Sequence, residues 1–296
     1  MSVVLITGAA TGIGNHTAKA LAVDGHTVYA SMRDPWGRDA EHAEEAIAFA
    51  EREYVDLRVI ALDVTSQESA DKAVQAILDA TGRLDVVVHN AGHLAIGYVE
   101  AFPVEDVGHL IDINALGAHR VNRAALPHMR EMRSGVLLYV GSTIGVTTPP
   151  FLGPYVVAKA AFDALAVVTS YETHPFGIET SIVMPGVIVR GTQHFPDAAQ
   201  ATDHEVTAAY AELDPLVARN EEATMGLFPP GVVSGPEGVA REISRVLALP
   251  FGHKPFRTVV DDTESGVDKV NETAQLARED FVTRMGYSEL LVPAQH

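Results

Sequence analysis

The stretch Thr7-Gly8-Ala9-Ala10-Thr11-Gly12-Ile13-Gly14 constrains this chain more than any other. It follows a β-branched run over residues 3–6. It opens a segment over 11–23 in which Ile13, Thr17, Ala20 and Leu21 recur at helical spacing until Gly25. A strand turning into a helix through three glycines gathers free backbone N–H groups and the positive end of a helix dipole at one point. Such a point suits a pyrophosphate, which backbone approaches closely only where side chains are missing. The competing reading is a tight structural turn, which has no need of three glycines opening one helix. The spacing, three residues and then Gly-Ile-Gly, also departs from the GxGxxG form.

The same unit recurs along the chain. Further strands are expected at 26–31, 59–62, 84–89, 136–140, 178–183 and 256–260. Helices are expected at 39–53, 67–80, 104–112, 114–132, 154–173, 237–249 and 267–285. Strands that read as continuous apolar runs between helices indicate a parallel α/β sheet covered on both faces. No linker interrupts the first 186 residues, so 1–296 reads as a single domain with its core in 1–190. In such sheets ligands bind beyond the carboxyl ends of the strands. The polar, partly helical stretch 191–235 is placed to cover a substrate there, and 251–296 follows it as a C-terminal extension.

Composition excludes several classes. The net charge of −18 argues against nucleic acid or an anionic membrane as partner. The absence of cysteine excludes disulfides and thiolate metal sites. No signal peptide is visible and no apolar run approaches the ~18 residues of a membrane helix, so a cytoplasmic location is expected. The thirteen histidines form no HExxH and no close pair on a helix face, so no metal is expected. His93 alone is placed where it could line a substrate mouth.

The chemistry-bearing stretch is Ser142 to Lys159, STIGVTTPPFLGPYVVAK. Tyr155 and Lys159 are four apart and share a helix face. An ammonium one turn from a phenol favours the phenolate and would lower a pKa that is ordinarily about 10. Ser142, after the strand GVLLYVG, can donate to a substrate oxygen. Together they suggest proton transfer at a carbonyl or alcohol carbon. Thr143, Phe151 and Val187, with Leu152, Phe195 and Tyr210, are candidates for a substrate wall or for ordinary packing.

The end of the second strand, Tyr29-Ala30-Ser31-Met32-Arg33-Asp34, bears on the cofactor. An acid there serves the ribose hydroxyls of NAD, whereas an arginine accommodates the extra phosphate of NADP. Arg33, with Thr11 adding a hydroxyl, is the favoured phosphate ligand because its planar fork binds phosphate through two N–H groups. Asp34 is the competitor, leaving NAD(H) possible. Asp63 can accept from an adenine or close a turn.

These motifs in this order resemble the short-chain dehydrogenase/reductase family, in its compact single-domain form. The matching residues are Thr7-Gly8, Gly12-Ile13-Gly14, Asp63-Val64, Asn90-Ala91-Gly92, Asn114, Ser142, Tyr155 and Lys159, and Pro185-Gly186, with Ser142 and Tyr155 thirteen apart. The resemblance covers about residues 1–190. It implies a doubly wound, Rossmann-like sheet of about seven strands, a homodimer or homotetramer, and a small carbonyl or alcohol substrate. It further implies that Tyr155 is the acid/base, Lys159 lowers its pKa and holds the nicotinamide ribose, Ser142 orients the substrate oxygen, and Asn114 supports a water in a proton relay. Gly8, Thr11, Gly12, Ile13, Gly14, Met32, Arg33, Asp63, Val64, Asn90, Ala91, Gly92, Pro185, Gly186 and Ile188 would hold the cofactor. The segment VYASMRDP is similar to the NADP-preferring 17β-hydroxysteroid and retinol dehydrogenase-like members, which supports NADP(H).

Two departures bear on the site. His89 stands where asparagine is usual. Arg190 stands where a cofactor-bonding threonine is usual, so either Thr192 takes that role or Arg190 meets the cofactor. The function expected is therefore an NADP(H)-dependent interconversion of a ketone or aldehyde and an alcohol, on a bulky apolar substrate. An epimerase or dehydratase using NAD(P), and a non-catalytic NAD(P)-binding sensor, are the alternatives.

Overall fold

The computed structural model describes residues 1–188, 190–193 and 196–295. Seven parallel strands form one sheet: β1 (Val3–Ile6), β2 (Thr27–Met32), β3 (Leu57–Ala61), β4 (Val86–His89), β5 (Gly135–Val140), β6 (Ile178–Pro185) and β7 (Arg257–Val260). Their order is β3-β2-β1-β4-β5-β6-β7. The order reverses direction between β1 and β4, and that switch point is where an open α/β sheet forms its ligand crevice. Register places Val4 beside Val28 and Val86, so residues of one parity share a face across the sheet.

Each face carries its own core. On one side Val4, Ile6, Val28, Ala30, Met32, Val88, Leu138 and Val183 pack against α1 (Gly12–Val23), α2 (Ala40–Glu53) and α7 (Pro236–Leu247). On the other, Leu5, Tyr29, Val87, Leu137, Tyr139 and Ile182 meet α3 (Gln67–Thr81), α5 (Gly117–Met132), α6 (Gly153–Thr173) and Val267, the first residue of α8 (Val267–Arg284). Emptying one such position, as in Ile243→Ala, costs about 2–5 kcal/mol. Capping follows local chemistry: Ser66 accepts from the Ser69 N–H at the start of α3, and Gly82 ends it in the left-handed region.

Most boundaries fall within two residues of those expected, and two of the differences have a clear physical cause. The third strand begins at Leu57 rather than 59, because the polar Arg58 on this edge strand is satisfied by Asp56 and the Tyr29 hydroxyl. The helices expected at 104–112 and 114–132 are not separate. α4 (Val104–Ile111) passes through a π turn (Asp112–Leu116) directly into α5. Asn114 holds that turn, donating to the Leu110 carbonyl. A two-residue ladder between Ala95–Ile96 and Ala199–Gln200, too short to show in the sequence, ties the post-β6 segment to the post-β4 segment.

Candidate active site

The glycine-rich turn lies at the carboxyl end of β1, beside the switch point. Gly8 has φ +64°, and a Cβ there would sit 2.8 Å from the Ala91 Cα. A Cβ on Gly14 would meet the Gly8 carbonyl and the Asn90 amide nitrogen, each at 2.4 Å. The glycines are thus required by the close approach of the segment after β4. That segment is laced to the turn: the Asn90 side chain donates to the Thr7 and Gly8 carbonyls at 3.0 and 2.8 Å, and the Thr7 hydroxyl accepts from the Asn90 and Ala91 N–H groups. Thr11 is the N-cap of α1, yet its side chain makes no capping bond and no acid stands in the first turn. The helix start therefore keeps its N–H groups and its positive end available to an anion.

Arg33 is exposed at the end of β2 and makes no salt bridge among the described residues. Its charge helps hold the Asp63 carboxyl below its ordinary range against the opposing effect of burial, with Thr65 supplying the nearer hydrogen bonds. Asp34 is occupied elsewhere: its Oδ2 accepts from the Arg38 N–H at 3.0 Å, and its own N–H donates to Asp39. Asp63 Oδ1 accepts from the Thr65 N–H and hydroxyl, a turn role that leaves Oδ2 uncommitted. Val64 packs on Gly117, and its carbonyl accepts from Arg120.

Some expected contacts take other roles. The Met32 side chain is buried in the core among β1, β2 and the helices over them. The side chains of Ile13 and Ile188 pack against the same core. Thr192 lies over the glycine-rich turn, its Cγ2 3.3 Å from where a Gly12 Cβ would be. Gly191, with φ +71°, redirects the chain there, and Arg190 is drawn instead to Glu237 at the start of α7, 3.8 Å away. Thr192 thus holds the position over the glycines. The Gly186 N–H donates to the Val260 carbonyl, and a side chain on Gly186 would collide with Asp261.

Ser142, Tyr155 and Lys159 come together at the ends of β5 and α6. The Ser142 and Tyr155 hydroxyls are hydrogen-bonded to each other, and Ser142 Oγ also accepts from the Ile144 N–H at 3.2 Å. Lys159 is buried, donates to the Val140 carbonyl at 3.1 Å, and lies 5.9 Å from the Tyr155 ring centre and 5.0 Å from that of Phe162. Burial lowers the Lys159 pKa to about 8. The Tyr155 phenol departs from expectation: burial raises its pKa, and the Ser142 hydrogen bond offsets only part of that. Lys159, 5.9 Å from the ring centre and with its own hydrogen bond spent on Val140, does not offset the burial of the phenol.

Asn114 is buried, and its side chain is committed. It accepts from the His93 N–H and donates to the carbonyls of His93 and Leu110. Any hold it has on a water falls to its backbone. His93 is half-buried, and burial lowers its pKa, with Arg33 and His109 adding to the effect and Asp197 opposing it. Thr143 is buried and joins β5 to β6 through its N–H bond to Pro185. Phe151, at φ +64°, packs edge-on against Tyr98. Val187 is half-buried after β6, and Phe195 lies outside the described residues. Tyr210 stacks on Tyr98 at 4.9 Å. The apolar surroundings of Tyr155 are instead Leu94, Leu152, Ile96, Ile144, Val156 and Ala198. Of these the sequence indicated only Leu152, since the two-residue ladder that brings Leu94, Ile96 and Ala198 there has no sequence signal. His89, the unusual residue, is buried against Tyr139 and bonded through Nε2 to Asn122 at 2.8 Å.

Comparisons with known proteins agree with this geometry. The pattern of the family described as short chain dehydrogenase matches residues 2–202. A 3-ketodihydrosphingosine reductase of Bacteroides thetaiotaomicron is 30% identical over 258 residues, 87% of each chain. The human 17-beta-hydroxysteroid dehydrogenase type 1 is 35% identical over 192 residues, 63% of this chain and 57% of its own. A solved short-chain dehydrogenase from Streptomyces avermitilis superposes with a TM-score of 0.74 at 28% identity, covering 96% of this chain and 97% of its own. The chain belongs to the short-chain dehydrogenase family of NAD(P)-dependent oxidoreductases.

Proposed function

We propose that this enzyme interconverts a ketone or aldehyde with an alcohol using NADP(H), and that its substrate is bulky and apolar. The observation that carries the reading is the Ser142–Tyr155 hydroxyl pair, set in an apolar surround with the Lys159 ammonium beneath it. The cofactor supplies or accepts the hydride. The residues fit it: the bare glycine turn and open start of α1 suit the pyrophosphate, and the exposed Arg33, without a salt bridge among the described residues, suits a ribose phosphate while Asp34 is held in its turn.

Ser142 and Tyr155 donate hydrogen bonds to the substrate oxygen, where negative charge grows as hydride arrives. Tyr155 then gives up its proton. Because burial holds the phenol protonated at neutral pH, the ligand-free site starts as a proton donor. Lys159, charged about ten to one at pH 7 given its pKa near 8, supplies the positive field that lowers the cost of the phenolate. Leu94, Ile96, Ile144 and Ala198 line the apolar side. The relatives' names, a ketodihydrosphingosine reductase and a hydroxysteroid dehydrogenase, support a large, mostly apolar substrate. The stretch 191–235 serves as its cover, and Asn114 contributes by fixing His93 and the helix turn.

The test follows loss of NADPH absorbance with a panel of bulky ketones, in parallel with NADH. Turnover is expected with NADPH preferred. Tyr155→Phe should lose at least about a thousandfold in kcat with cofactor affinity nearly unchanged, and full activity in that variant would overturn the assignment.

A further inference from the structure

Behind Lys159, on the side of α6 turned toward α8, lies a cavity of about 280 Å³. Its charged lining comes from Lys159, Asp163, Arg257 and Arg278, with Ser142, Asn271 and Gln275 adding uncharged polar groups. Arg278 is its unusual member. The Nε and Nη1 atoms are buried and bond to nothing among the described residues. The guanidinium stacks 4.3 Å from the Phe256 ring centre and 5.8 Å from that of Tyr171, so its plane is fixed before any ligand arrives. Buried donors without partners are rare in folded proteins and point to a water or ion at the site.

Charge separates those two. Three cations, Lys159, Arg257 and Arg278, face the cavity with one carboxylate, Asp163, whose Oδ2 already accepts from Arg257 at 2.5 Å. The excess of positive charge stands inside a chain of net charge −18. Three of the acids of α8, Asp268, Glu272 and Glu279, line a neighbouring cleft that shares Arg257, Asn271 and Gln275 with the cavity, although Glu279 and Asp163 also act on Arg278 through space. Asp163 Oδ1 is buried and unpartnered as well. A ligand that satisfies both orphans carries an oxyanion for the arginine fork and its own O–H for the carboxylate.

We propose that the cavity between α6 and α8 binds a small hydroxylated oxyanion, a hydroxycarboxylate or hydrogen phosphate, through Arg278, Arg257 and Asp163. The cavity shares Ser142 and Lys159 with the proposed active site, but its test reads binding alone and so stands or falls separately from the proposed reaction. It is coupled to the catalytic side through Lys159. An anion there favours the ammonium, and by reciprocity the charged lysine favours the anion. Since the Lys159 pKa lies near 8, anion affinity should fall as pH rises through that value.

The experiment is calorimetric titration of the full chain with glycolate, acetate and inorganic phosphate, at ionic strength matched with chloride. Saturable binding is expected, glycolate tighter than acetate, with hydrogen phosphate distinguishing the second source. Arg278→Met should weaken it at least tenfold, while Arg284→Gln, an exposed pair on the same helix, leaves it unchanged. Arg278→Lys, which keeps the charge but loses the fork and preserves folding if the methionine variant does not, should weaken it at least fivefold. No saturable binding beyond chloride, or undiminished binding in the arginine variants, would overturn the site.

Discussion

Between Thr7 and Gly14 the chain is positioned by its backbone, whereas the opposite side of the crevice is positioned by side chains. On the first side, glycine Cα atoms and carbonyls stand so close to Asn90 and Ala91 that a methyl group does not fit. On the second, the segment after β6 is joined to the segment after β4 by the Tyr98–Tyr210 stack and by bonds from those two hydroxyls to Asp214 and Glu100. The two-residue ladder and the bond from the Asp203 N–H to the Ala101 carbonyl add the backbone pairing. Backbone contacts tolerate no variation in shape, which suits a cofactor of fixed structure. Side-chain contacts can be exchanged one at a time, which suits a wall facing a variable substrate.

The comparison breaks most severely at Gly8. Gly8→Val places a branched side chain at φ +64° and against the Ala91 backbone. We expect more than about 3 kcal/mol of destabilisation in chemical unfolding and cofactor affinity beyond detection by calorimetry. Arg33→Ser should raise the Kd for NADPH by about 10–100-fold and leave that for NADH unchanged, since it removes one charged hydrogen-bonding fork. Equal effects on both would assign the phosphate to another group.

Lys159 belongs to neither side and tests the cost of the site. Its folded pKa, near 8, lies below the ordinary lysine value of 10.5. Burying the ammonium is therefore a penalty fully present below about pH 8 and relieved as pH rises toward 10.5. Lys159→Met should abolish turnover yet stabilise the fold by about 1–3 kcal/mol at pH 7, once the lost Val140 bond is offset. The gain should shrink above pH 8 in denaturant melts. The smallest effect is expected on the variable side. Tyr210→Phe removes an exposed bond to Glu100, and should cost under about 1 kcal/mol, with KM for the ketone rising two- to threefold and cofactor affinity unmoved.

The same contrast explains what the sequence discloses. The turn from Thr7 to Gly14, Ser142, and the Tyr155–Lys159 spacing were legible because local geometry dictates residue type there. The inward direction of the Met32 side chain is legible from the period of two, which puts it on the face of Val28 and Ala30. Arg190 and Thr192 were indistinguishable until Gly191 turned the chain. Leu94, Ile96 and Ala198 were unreadable, because segments a hundred residues apart meet through a ladder of two residues. The sign of the Tyr155 shift was also out of reach: spacing places a charge one turn away, but only packing sets how much water the phenol loses.

The π turn at Asp112–Leu116 has a consequence for phase. Leu110 and Val121 are eleven residues apart, so in an unbroken α-helix they would point within roughly 20° of each other. One extra residue in the turn rotates everything after it by roughly 100°. The two residues do serve different neighbours: Leu110 packs with Tyr98 and Phe102, and Val121 with the sheet beneath α5. The helix is thus divided into two halves aimed at different targets, one toward the substrate-side cluster and one toward the sheet. Deleting a single residue within 112–116 would bring the halves back into step and leave one of those faces aimed at nothing.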